Sequence, residues 1–174
     1  LATEADDADL RHVLAATPMS GRIAVAFRRE PSFFASSVVE GDTQLDPAQA
    51  SVVAPQFVDN DAIVAVVGPA GSQEVDAVGG IYADASMAFI SPSATATNLT
   101  EDYETFYRVV PTDADQGPTD ATYMVEELGA QNVLIIDDQS SYSTGLADST
   151  TAALEDGGAT VTRESVSQDQ TDFS

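Results

Sequence analysis

Hydrophobic and polar positions along the chain alternate between two kinds of pattern. Ala62–Val67 (AIVAVV) is a short continuous apolar run that stops at Gly68-Pro69. A run of that length, apolar on both faces, fits a strand inside a parallel sheet. Before it, Asp46-Pro47 opens a helix, with Asp46 as N-cap and Ala50, Val53, Ala54 and Phe57 at helical spacing. After it, Ser72 reads as the N-cap of a second helix with Val75, Val78 and Ile81 on one face. Met87–Ile90 is the next predicted strand, and Phe106–Val110 another extended segment before Pro111.

The alternation continues to the end of the chain. Gln116–Leu128 is predicted helical, with Met124, Val125 and Leu128 on its apolar side and Gly129 as its stop. Asn132–Ile136 (NVLII) is a buried-strand pattern running into Asp137-Asp138. Thr144–Leu154 is a helix ended by Gly157-Gly158, and Thr160–Val166 alternates as a further strand. Strands separated by helices of this length imply βαβ units and parallel sheets. Nearer the amino terminus, Ala8–Ala16 has a helical pattern, while Arg22–Phe27 and Ser37–Val39 have strand patterns. Which of the latter two is the first strand of the sheet stays open at this level.

Composition narrows the function classes. The chain has 174 residues, 43% of them hydrophobic, enough to fill a core. No apolar run approaches the roughly 20 residues of a membrane helix. Leu1–Leu10 carries acids where a secretion signal would be basic and apolar. There are 29 acidic residues against 6 basic ones, every base is Arg, and the net charge is −23. Such a field repels phosphate backbones and anionic lipid, so nucleic acid is not an expected partner. A solvated acidic surface is the simplest reading, and it implies a fold that gains stability with salt. Without cysteine, disulfides, thiolate catalysis and Cys-based metal sites are excluded.

In open parallel α/β sheets, ligands bind beyond the carboxyl ends of the strands. Three such ends carry suitable residues. Gly68–Gln73 (GPAGSQ) has glycines for close backbone approach, and Ser72 sits where a helix N-terminus favours an anion such as a carboxylate. It also reads as an ordinary capped turn, and it lacks the Lys-Ser/Thr of a phosphate loop. Ser91–Thr97 (SPSATAT) offers hydroxyls without bulk. Asp137–Leu146 contains Tyr142, whose ring and hydroxyl could cover a ligand. Catalytic patterns are thin. His12 is the only histidine, and neither a Gly-x-Ser-x-Gly elbow nor a His-Glu-x-x-His occurs. No catalytic residue, metal ligand or cofactor is expected. Asn98-Leu99-Thr100 has the form of a glycosylation acceptor.

These loops, in this order, resemble a known family. Asp42–Ala50 (DTQLDPAQA), VVGPAGS ending at Ser72, Ile90–Thr100 (ISPSATATNLT), Tyr107–Pro118 (YRVVPTDADQGP), Asn132–Ala147 and the terminal Asp172–Ser174 are similar to type 1 periplasmic binding proteins. The similarity is to the branched-chain amino-acid (Leu/Ile/Val) substrate-binding proteins of ABC transporters. It implies an α/β fold of two lobes, each with a parallel sheet flanked by helices. Residues 1–110 would form the first lobe, atypical at its start, and residues 111–174 the beginning of a second lobe, incomplete here. It also implies an extracytoplasmic protein, periplasmic or a cell-surface lipoprotein. That protein would bind an amino acid or small carboxylate by hinge closure, deliver it to a membrane permease, and catalyse nothing.

The ligand-binding residues that the resemblance implies are Ser72, Ser93, Ala94 and Thr95 from the first lobe, Asp113 near the hinge, and Tyr142 from the second lobe. Backbone groups would do much of the holding. Two departures stand out: the family's first strand, Gly-rich loop and long helix are missing at the amino terminus, and Ser93 replaces the Ala or Gly common there. The alternatives are the sensor ectodomain of a receptor and, further off, a small α/β enzyme or response-regulator-like domain using Asp137. That last reading requires one continuous sheet.

Overall fold

A computed structural model describes residues 25–29 and 36–172. The predicted helix Ala8–Ala16, His12 and the last two residues lie outside them. Among the described residues, seven strands form two sheets rather than one. β1 (Val25–Arg29) and β2 (Ser36–Glu40) come first. Helix α1 (Pro47–Val58), strand β3 (Ile63–Val67), helix α2 (Ser72–Asp84) and strand β4 (Ala88–Ser91) follow. A short helix α3 (Leu99–Asp102) then leads to β5 (Phe106–Arg108). These strands make a sheet of order β2-β1-β3-β4-β5. Helix α4 (Asp113–Thr122) runs on into a π turn (Tyr123–Glu127), followed by β6 (Asn132–Asp137), α5 (Ser141–Asp156) and β7 (Thr160–Ser165). β6 and β7 pair parallel in a second sheet.

The predicted parallel pairing holds for β3-β4-β5 and for β6-β7. β1 differs: it is antiparallel to both β2 and β3. For β1 and β2 the reason is chain length, and β3, which the α1 crossover brings back parallel to β2, is antiparallel to β1 in turn. Only residues 30–35 separate β1 from β2, whereas a parallel crossover takes a dozen residues or more. β1 thus lies between β2 and β3.

Two hydrophobic clusters sit under the two sheets. In the first, Val66, Phe89 and Phe106 are register partners on one face of β3-β4-β5 and meet Ala50, Ala54 and Phe57 of α1 and Val75, Val78 and Tyr82 of α2. The Phe89 ring lies 4.9 Å from that of Tyr82 and 5.2 Å from that of Phe106. The second gathers Ala121, Met124, Val125, Val133, Ile135, Leu154 and Ala159 between α4, α5 and the β6-β7 sheet. The NVLII run was expected to be covered on both faces. Instead Val133 and Ile135 point into this cluster, while Leu134 and Ile136 are 59% and 58% exposed. Among the described residues the helices cover one side of the sheet. Tyr107 and Leu128 are likewise exposed, so Leu128 does not join the apolar side of its helix. No described helix is long and apolar enough to cross a membrane.

Candidate functional site

The ends of β3 and β4 are stitched together by serines. Gly71, not Ser72, is the N-cap of α2, and the cap is closed by Glu74, whose carboxylate accepts the Gly71 N–H at 2.8 Å. Ser72, the first helical residue, is buried, and its Oγ instead accepts the backbone N–H groups of Thr95 and Ala96, each at 3.2 Å. Ser91 donates its hydroxyl to the Pro69 carbonyl at 2.6 Å and accepts the N–H groups of Ser93 and Ala94 at 3.3 and 3.0 Å. The Ser93 hydroxyl donates to the Ala70 carbonyl at 2.8 Å.

The carbonyls of the same loop are engaged as well. Arg108 Nη1 donates to those of Ala94 and Ala96 at 3.2 and 2.7 Å. The Thr95 carbonyl accepts the Asp113 N–H at 2.9 Å. Ser72, Ser93, Ala94, Thr95 and Asp113 therefore form one connected unit. Most of the loop's backbone polar groups are satisfied within the protein. The buried Thr95 Oγ1 and both carboxylate oxygens of Asp113 have no hydrogen-bond partner, and at the start of α2 neither do Gln73 Oε1 and the second carboxylate oxygen of Glu74, Oε1. A buried carboxylate without donors is costly. Burial pushes the Asp113 carboxyl upward from its usual range, opposed by the nearby Thr95 hydroxyl and by the charge of Arg108. Thr95 is near enough to act on that carboxyl, although no hydrogen bond of ordinary geometry joins them.

Asp113 also ties this loop to α5. Its carbonyl accepts the Ser149 hydroxyl at 2.8 Å, and a Cβ on Gly145 would lie 3.1 Å from its Oδ2. One turn below, a Cβ on Gly117 would lie 2.5 Å from Ser149 Oγ, so glycine is what lets α4 and α5 pack this closely. Tyr142 stands apart from the five-residue unit, on the first turn of α5, 39% exposed. It precedes Gly145 by three residues and so shares the helix face that meets Asp113.

The β6–α5 loop, which leads into the turn that carries Tyr142, is fixed by two acids. Asp137 is buried, and its carboxylate is held by Arg163 Nε at 2.9 Å, Ser165 Oγ at 2.9 Å and the Gln139 N–H at 3.1 Å. The Arg163 bond leads the causes that lower its pKa. Arg163 also pairs with Asp148. Asp138 accepts from the Ser140 hydroxyl at 2.7 Å, the Ser140 N–H at 3.0 Å and Gln168 Nε2 at 3.0 Å, bonds that lower its carboxyl to about 2. The reading that uses Asp137 requires one continuous sheet, and among the described residues the strands are divided between two sheets.

Residues 37–174 match the model of the family described as periplasmic binding protein. The chain belongs to the periplasmic binding protein family. This is a family of solute-binding proteins rather than of enzymes. Within it, the chain is 38% identical over 125 residues to the Leu/Ile/Val-binding protein of Escherichia coli, a match covering 71% of this chain and 34% of that protein. The branched-chain amino acid binding protein LivJ of Streptococcus pneumoniae, solved in complex with isoleucine, is similar with a TM-score of 0.71 at 33% identity, covering 79% of this chain and 39% of that one. The leucine binding protein LivK of Thermotoga maritima is similar with a TM-score of 0.73 at 25% identity, over 76% and 38%. The chain thus spans about a third of the length of the curated relatives it matches.

The sequence pointed to Ser72, Ser93, Ala94, Thr95 and Asp113, which meet in this periplasmic binding protein, and to Tyr142, one helical turn from the contact. It missed Glu74, Ser91 and Arg108. Glu74 had a local signal, an acid three residues after the N-cap. Ser91 lay inside the Ser91–Thr97 segment but was not singled out, and Arg108 had no local signal, because its partners lie 8 to 14 residues away.

Proposed function

We propose that this chain is the ligand-holding part of an extracytoplasmic solute-binding protein of an ABC importer. It takes an amino acid or similar small carboxylate between two lobes, residues 1–110 and 111–174, and presents it to a membrane permease. The observation that carries this reading is that Thr95 Oγ1 and the Asp113 carboxylate are buried and unsatisfied at the loop that Ser72 joins to the N-terminus of α2.

An amino acid presents opposite charges a few ångströms apart. Its carboxylate suits the α2 N-terminus, where Ser72 can turn its hydroxyl proton outward and helix N–H groups favour an anion. Its ammonium suits the Asp113 carboxylate and the Thr95 hydroxyl, which would give Asp113 the donors it lacks. Ser93 and Ala94 shape the loop between them. Tyr142 covers the ligand as the lobes close, and the ligand's contacts with both lobes favour the closed state. The branched-chain relatives make leucine, isoleucine and valine the first candidates.

Differential scanning fluorimetry of the full-length protein against the amino acids and small carboxylates tests this. Ligand at about 100 times its dissociation constant stabilises by roughly 2.7 kcal/mol, a shift of several degrees. Silence across the panel would reject the amino-acid reading.

A further inference from the structure

The loop after β4 is held from two sides. Serines take its amides, and a single cation takes the carbonyls on either side of Thr95. Arg108 Nη1 bridges the carbonyls of Ala94 and Ala96, and Nη2 reaches Thr100 Oγ1 at 3.4 Å. The guanidinium is seated 5.4 Å from the centroid of the Phe106 ring, at the buried start of β5. Two alternate carbonyls bonded to one rigid planar cation allow the peptide between them little freedom. That peptide carries Thr95, whose hydroxyl is unpartnered and whose carbonyl anchors Asp113. Ala94 and Ala96 are buried, so losing the cation would strand two carbonyls away from water. In a chain of net charge −23 without lysine, the two arginines whose side chains are described, Arg108 and Arg163, are both committed to loops at strand ends.

We propose that Arg108 is a positioning residue for ligand binding, fixing the 94–96 backbone so that Thr95 Oγ1 and the Asp113 carboxylate face the bound molecule, without touching that molecule itself. This rests on the amino-acid-binding reading, and its test is built to fail separately. In the ligand-free full-length protein, amide hydrogen exchange is compared between wild type, R108K and R108M, and L-leucine affinity is measured by calorimetry on each.

In R108M the Thr95 and Ala96 amides exchange at least about tenfold faster while Val66 in β3 is unchanged, and leucine affinity falls about a hundredfold. R108K, which keeps the charge but loses the fork, falls about tenfold, equivalent to about 1.4 kcal/mol. Guanidinium ion at millimolar concentration partly restores R108A, whereas ammonium at equal ionic strength does not. Unchanged exchange at Thr95 and Ala96 in R108M, or wild-type leucine affinity, overturns the proposal. So does faster exchange spread evenly over the sheet, which marks a general loss of stability. Should R108M not fold, R108K decides by the same exchange pattern. A wild type indifferent to leucine counts against the functional reading, while the exchange comparison still decides whether Arg108 holds the loop.

Discussion

Asp113 is buried, lacks hydrogen-bond donors to its carboxylate and has its pKa raised mainly by that burial. For an acid raised in the fold, the stabilising contribution is present below the unfolded pKa and is lost as pH rises through the folded one. At neutral pH the ionised group therefore costs stability. Replacing it by a neutral isostere should help the fold and harm binding. In D113N, the melting temperature at pH 7 rises by a few degrees, while amino-acid affinity drops on the order of a hundredfold, as for other truncated charge contacts. Thermal melts and calorimetric titrations on the same preparation check both signs. At this scale the sequence marked two segments, 68–73 and 91–97, by strand ends followed by Gly, Pro and Ser, while the choice of Ser72, Ser93 and Thr95 within them as ligand contacts came from the family resemblance. Arg108 was not legible, since its partners lie 12 and 14 residues away and an arginine in a strand pattern carries no sign of where it reaches.

Packing between elements turns on small residues. The α4–α5 contact depends on Gly117, where a Cβ would fall 2.5 Å from Ser149 Oγ and 2.8 Å from its backbone carbon. G117A forces the helices apart and costs about 1–3 kcal/mol, the usual range for overpacking; denaturant unfolding measures it. The β6–α5 loop depends on Asp138, whose carboxyl is lowered to about 2 by the Ser140 hydroxyl first of all. A lowered acid stabilises above its unfolded pKa, near 4, and loses that contribution as pH falls through its folded value. D138N should therefore flatten the stability change between about pH 4 and about pH 2, as melting temperatures across that range would show. Periodicity gave these helices and strands to within a few residues. It did not give β1's antiparallel pairing, which follows from the short link between β1 and β2. It also led to two-sided cover for NVLII, because an apolar run states what a strand tolerates and not what lies against it.

The whole molecule is dominated by its charge. A net charge of −23 over 174 residues repels itself in the compact state. Screening over a Debye length, about 10 Å at about 0.1 M salt and about 3 Å at about 1 M, relieves that repulsion. The melting temperature should rise by several degrees between those salt concentrations; a flat response would mean that the acids are spaced widely enough not to interact. Fold class and family character were legible at this scale because two independent signals agreed, the βαβ alternation and the order of loop residues. The ligand was not, since the chain spans about a third of the length of its curated relatives. Calorimetric titration of the full-length protein with the amino acids, leucine, isoleucine and valine first, tests the central claim most directly. The account predicts saturable binding at one site per molecule for one chemical class, weakened by D113N. Absence of binding by every amino acid, or binding that D113N leaves untouched, would contradict it.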